Sequence, residues 1–171
     1  LVVADSLLHN PHIRGDGNVA AQKTFGDLDG QSRATWDSDL YQLEDEAAAR
    51  EVLHRQYAAV VGNPPYITVK DATLRDRYRV MYASAAGKYS LAAPFAQRFF
   101  QLACVRGAVG MITANSFMKR EFGKKLIEDF LPSVNLDLVV NTSGAYIPGH
   151  GTPTVLLFGT AEPAQGNAVH T

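Results

Sequence analysis

Four short apolar runs, separated by helix-forming segments or turn-rich loops, constrain this chain more than any other feature. YAAVV (57–61) stops at Gly62-Asn63-Pro64-Pro65, and AVGMIT (108–113), LDLVV (136–140) and TVLLFG (154–159) follow. Leu1 to Ala4 read as one further buried strand, ended by Asp5 and Ser6. Apolar runs this short, bounded by turn residues, are the signature of strands buried on both faces. Between them the spacing predicts helices over about 39–56, 91–105 and 120–131, the last stopped by Pro132. Strand and helix in alternation argue for an α/β fold, with a mostly parallel sheet and helices on both faces. The last two runs have no helix between them, so they join most simply as an antiparallel hairpin at one edge. Two stretches fall outside the alternation. Residues 10–39, punctuated by Asn10-Pro11 and Gly15-Asp16-Gly17, read as an irregular insert, and 66–90 as a polar insert.

The chain has 171 residues, 46% apolar and 19% charged, enough for one ordinary globular domain. Sixteen Lys and Arg against 17 Asp and Glu exclude a domain dominated by one basic face, though not a local basic stripe. Cys104 is the single cysteine, so the chain makes no internal disulfide and no thiolate cluster for zinc. His9 and His12 lack the partners of a metal site, and no metal is expected. No apolar run nears the roughly 20 residues of a membrane span, and no leader is read at the start. These features predict a cytoplasmic protein with no membrane partner. Leu1 in place of Met reads as a piece cut from something larger.

One tetrapeptide carries chemistry. Asn63-Pro64-Pro65-Tyr66 follows an apolar strand, and in open α/β sheets ligands gather at the carboxyl ends of strands. The plain alternative is a strand-terminating turn, since two prolines cannot continue a ladder. The prolines stiffen the backbone and bias Asn63 away from helical angles. The Asn63 amide oxygen and the Pro64 carbonyl can then stand as two fixed acceptors, which suits an exocyclic amino group with its two N–H bonds. Accepting both hydrogens draws a delocalised lone pair back onto nitrogen and stabilises the positive charge that grows as a methyl group arrives. Tyr66 offers a flat face on which a base can stack.

The tetrapeptide resembles the catalytic motif of amino-group methyltransferases that use S-adenosylmethionine, adenine-N6 DNA methyltransferases among them. Longer blocks sharpen the likeness. VVGNPPYITVKD, KYSLAAPFAQRFFQLA, GAVGMITANSFMKREFGKKLIEDFLP and TSGAYIPGHGTPTVLLFG resemble the PglX-like methyltransferases of BREX and phage-growth-limitation systems, and the likeness runs from VADSLLHN to the last strand. It implies a partial Rossmann-like methyltransferase fold lacking its early strands. It implies an enzyme that methylates adenine N6 in double-stranded DNA, with the adenine flipped out and other phage-defence proteins as partners. Asn63, Pro64, Pro65 and Tyr66 would be catalytic. Asp5, with Ser6 beside it, would contact the adenine end of the cofactor, although an Asp after a strand is also a common turn residue. Tyr146 would stack under the flipped base as a second aromatic. In the family that aromatic directly precedes a proline; here Ile147 holds the place.

The family's Gly-rich cofactor loop is not seen after any apolar strand, so the chain reads as the middle of the catalytic domain. The cofactor-loop part would precede it, the DNA-reading part would follow it, and the fragment alone would be inactive. Two basic segments, 70–88 with Tyr78, Tyr82 and Tyr89, and 119–125, follow strand ends on the side where DNA would approach. Solvated helix faces carry such charges as well. Asn115 or Ser116 would line the pocket or cap a helix, and Cys104 reads as a helix core residue. Two other readings stay open: a protein glutamine-N5 methyltransferase, whose amide nitrogen poses the same problem, and a non-catalytic DNA-binding or assembly module.

Overall fold

The computed structural model describes residues 5–11, 46–142, 144, 151–166 and 169–170. They belong to two units, Leu1–His54 and Arg55–Thr171. The expected strand at 1–4 and nearly all of the insert at 10–39 lie outside the described residues, as does Tyr146.

In the first unit Asp5 opens a turn. Its Oδ1 accepts from the amides of Leu7 at 2.9 Å and Leu8 at 3.2 Å, and Leu7 is buried. Helix α1 (Glu46–Leu53) lies inside the span expected for the first helix. Arg50 sits in its last turn, where a cation complements the helix dipole.

The second unit holds β1 (Tyr57–Gly62), α2 (Ala72–Met81), α3 (Ala92–Leu102), β2 (Ala103–Ala114), β3 (Asn135–Asn141) and β4 (Thr154–Thr160). The four strands form one sheet in the order β1-β2-β4-β3. β1 and β2 are parallel, while β4 runs antiparallel to both β2 and β3. Three of the four strands therefore point the same way. The expected hairpin sits at the edge, with β3 outermost and β4 inside. One core gathers Ala93 and Ala96 of α3, Met111, Val155 and Leu157 of the sheet, and Phe117, Leu126 and Leu131 of the β2–β3 connection. The opposite sheet face exposes Val61 and Phe158, and Gly110 lies between them.

Three expectations need correction. The helix expected to reach Val105 ends at Leu102, and Ala103 already pairs with Tyr57. The next pair is Ala59 with Ala108, so 104–107 bulge out of the ladder. Gly107 is required there, because a Cβ would lie 2.8 Å from the carbonyl oxygens of Cys104 and Tyr57. Cys104 is consequently a half-buried bulge residue and not a helix core residue.

The helix expected over 120–131 is instead a series of irregular turns: a 3₁₀ turn at Glu121–Gly123, a π-turn at Leu126–Phe130 and another 3₁₀ turn at Leu131–Ser133. Gly123 lies so close to the Phe117 carbonyl that a Cβ would sit 1.9 Å from its oxygen. That approach fixes the first turn. The Leu131 amide then reaches back to the Leu126 carbonyl, and both leucines are buried.

The insert at 66–90 is folded and packed. Asp71 caps α2 by accepting from the Leu74 amide at 2.6 Å. The Ser84 hydroxyl donates to the Ala93 carbonyl at 3.0 Å, and the Gln97 side chain accepts from the Ser84 amide at 3.1 Å. Tyr78, Tyr82 and Tyr89 are 3%, 0% and 0% exposed, so the tyrosines of this basic segment are core residues. Arg98 of α3 is also fully buried, and burial pulls its guanidinium below the usual range.

Candidate active site

The end of β1 is set by packing from α3. A Cβ on Gly62 would meet Phe99 ring carbons at 2.9 and 3.2 Å, so only glycine lets the ring lie against the strand end. Phe99 is itself braced edge-on by Phe95, with centroids 6.2 Å apart. The chain leaves the sheet at this point, and Pro64 and Pro65 prevent the ladder from continuing. Pro64 is buried, Pro65 and Asn63 are exposed, and Tyr66 is half-buried. The turn is held on its far side too. The Ile67 carbonyl accepts from the Leu91 amide at 2.8 Å, Thr68 bridges Ser90, and Val69 is buried.

Within this braced turn the Tyr66 hydroxyl donates to Asn63 Oδ1 at 2.5 Å. Burial raises the Tyr66 phenol above its ordinary value of 10.0, so it stays protonated and remains a donor at neutral pH. In this arrangement the amide oxygen of Asn63 faces the hydroxyl. An amide oxygen has two lone pairs, so Oδ1 can accept from Tyr66 and from one ligand N–H together. The Asn63 side chain stays exposed to solvent while its oxygen is oriented.

Asp5 and Ser6, half-buried, belong to the first unit, and the two amides on Asp5 Oδ1 hold its carboxylate in one orientation. Asn115 is buried at the start of a 3₁₀ turn, Asn115–Met118. Ala114 occupies the cap position and no side chain caps the turn, so neither Asn115 nor Ser116 serves as the expected cap. Sequence reading passed over Thr113. It is fully buried two residues beyond Met111, the partner of Gly62, and its Oγ1 has no hydrogen-bond partner among the described residues. Nothing in a β-forming threonine at a strand end marks it as such.

The two basic segments meet at an open groove of about 430 Å³ lined by Ala86, Gly87, Lys88, Arg120, Glu121 and Phe122. Arg79 braces one wall. It donates to the Gly87 carbonyl, pairs with Asp76 at 2.6 Å and lies 6.0 Å from the Tyr89 ring centroid. Among the described residues no helix is long and apolar enough to cross a membrane. Among them, too, no cluster of three or more His, Cys, Asp or Glu could hold a metal ion.

The profile of the family described as Eco57I restriction-modification methylase matches residues 11–147. The chain is 50% identical over 177 residues to the adenine-specific methyltransferase PglX of Streptomyces coelicolor, covering 98% of this chain and 14% of that protein. It therefore spans only a small part of that relative's length. Among solved structures, the type IIG restriction endonuclease BpuSI matches with a TM-score of 0.52 at 15% identity, over 66% of this chain and 14% of that one. A Listeria monocytogenes protein described as a class I S-adenosylmethionine-dependent methyltransferase matches with a TM-score of 0.50 at 8% identity, over 68% and 35%. These likenesses establish the fold as a Rossmann-like α/β sheet, present in part.

Proposed function

Because the chain belongs to the Eco57I restriction-modification methylase family, we propose that it is part of a site-specific DNA methyltransferase that modifies adenine N6. Its setting would be a phage-defence system of the BREX type, in the cytoplasm where the DNA substrate lies. One observation carries the reading: the exposed Asn63 amide at the carboxyl end of β1, its oxygen oriented by the Tyr66 hydroxyl. The 50% identity to an adenine-specific methyltransferase supports adenine as the base.

In this reading the target adenine leaves the duplex and its ring lies on Tyr66. Asn63 Oδ1 accepts one amino hydrogen and the Pro64 carbonyl the other. These two contacts strengthen as the nitrogen gains positive charge, so they favour the transition state over the ground state. Tyr66 acts twice, through its ring on the base and through its hydroxyl on Asn63. Tyr146 would close the far side of the base. S-adenosylmethionine, when bound, supplies the methyl group. Asp5 and Ser6 would hold its adenine end; a carboxylate fixed by two backbone amides fits a residue that accepts from an amino group.

The test is Asn63→Ala in the full-length protein, with N6-methyladenine read from genomic DNA of the producing strain. Methylation should vanish while the melting temperature stays at the wild-type value. Undiminished methylation removes Asn63 from the chemistry. Methylated glutamine in a protein substrate, with unmodified DNA, moves the activity to a side-chain amide.

A further inference from the structure

We propose that the groove between Lys88 and Arg120 binds the phosphate backbone of duplex DNA beside the base presented at Asn63. The inference rests on the reading of the chain as a DNA methyltransferase. Lys88 and Arg120 come from segments distant in sequence, yet they line one groove. Both are exposed, and neither makes an ion pair among the described residues. Arg79, Arg106 and Lys124 pair with Asp76 at 2.6 Å, Glu162 at 3.6 Å and Glu128 at 3.9 Å, while exposed Lys70, Arg77, Lys119 and Lys125 stand outside these pairs as well, so the shared groove is what singles out Lys88 and Arg120.

The walls are held before any ligand arrives. Gly87 takes a left-handed turn at φ 57°, and Arg79 clamps its carbonyl. On the other side of Lys88, Tyr89 is fully buried and its hydroxyl donates to the Arg75 carbonyl at 2.8 Å. Across the groove, the Gly123 amide donates to the Arg120 carbonyl at 2.9 Å, and Gly123 is wedged against Phe117. Fixed walls carrying a lysine point charge and a planar guanidinium suit a phosphodiester. The groove is open to solvent.

Position agrees with this. Lys88 lies two residues from Ser90, which bridges Thr68, itself two residues from Tyr66. Two extended residues reach about 7 Å and a bridged pair about 5 Å, so the Lys88 and Tyr66 backbones lie within about 20 Å. That is about six steps of duplex at 3.4 Å each. Glu121 is the one acidic residue in the lining. It opposes a phosphate and gives the test a substitution of opposite sign.

The experiment measures affinity of the full-length protein for a random-sequence duplex over a series of salt concentrations. Lys88→Gln and Arg120→Gln should each lower the slope of log affinity against log salt by about one. Over a fourfold rise in salt, the wild-type advantage should then shrink by about 3.5-fold for each single variant and about 12-fold for the double variant. Glu121→Gln should tighten binding, a gain that misfolding cannot mimic. Unchanged slopes in the double variant, with Glu121→Gln neutral, overturn the groove. If Asn63→Ala keeps full adenine methylation while the slopes fall as stated, the catalytic reading fails and the groove stands.

Discussion

Removing the Tyr66 hydroxyl separates its two proposed roles. Tyr66→Phe keeps the ring and loses the 2.5 Å bond to Asn63 Oδ1. A protein hydrogen bond contributes about 0.5–1.5 kcal/mol net. This one is exposed, which favours the lower half, about 0.5–1 kcal/mol, or about two- to fivefold in rate. The loss should fall on kcat, because an unfixed amide is costliest when charge develops on the attacking nitrogen. Tyr66→Ala also removes base stacking, about 1–3 kcal/mol by alanine substitution. The sum, about 1.5–4 kcal/mol, corresponds to about ten- to several-hundred-fold. The assay is methyl transfer from labelled S-adenosylmethionine to duplex DNA by the full-length protein, with kcat and KM resolved. Equal losses in the Phe and Ala variants would place the whole effect on the hydroxyl and refute stacking. Wild-type rates in both would remove Tyr66 from the site.

Two further predictions concern stability. Gly123→Ala places a methyl group 1.9 Å from the Phe117 carbonyl oxygen, so the whole turn must move, at a cost of about 3 kcal/mol or more. Denaturant unfolding should show this loss and almost none for Gly166→Ala, where a Cβ meets nothing within 4 Å; equal midpoints would refute the packing. Tyr89 is pushed up from 10.0 to about 12 by burial, with Arg79 and Arg75 partly opposing the shift. The neutral phenol therefore favours the folded state: this contribution is complete below about pH 10 and lost as pH rises through about 12. Tyr89→Phe, weaker at neutral pH for want of its bond to the Arg75 carbonyl, should lose less stability across that window. Parallel stability curves for the two proteins would contradict this.

The strands of the second unit were legible because each is a short apolar run with a turn signal after it. Their order in the sheet was not, since no local pattern says that the last run inserts between its predecessors. The 91–105 helix ran too long because Ala103, Cys104 and Val105 extend an apolar pattern that serves helix or strand equally. What ended it was the pairing of Ala103 with Tyr57, a contact distant in sequence. The segment 120–131 has helical spacing, but its course is set by the approach of Gly123 to Phe117, which periodicity does not record. Tyr78 and Tyr82 sit four apart and both turn inward, so their basic neighbours gave them a false surface character. At the site, the Asn63–Tyr66 turn was readable as a stiff corner after a strand. The bond between its first and last residues, and the groove joining Lys88 to Arg120, needed the folded chain.

The place of β4 also dictates when this sheet can be completed during translation. Thr154–Thr160 leaves the ribosome after the other three strands, yet it pairs along its length with both β2 and β3. Until it emerges, β2 has no strand on the side that β4 will take, and β3 lacks its neighbouring strand. Such late, non-local pairing slows assembly and leaves strand edges open to wrong partners in the meantime.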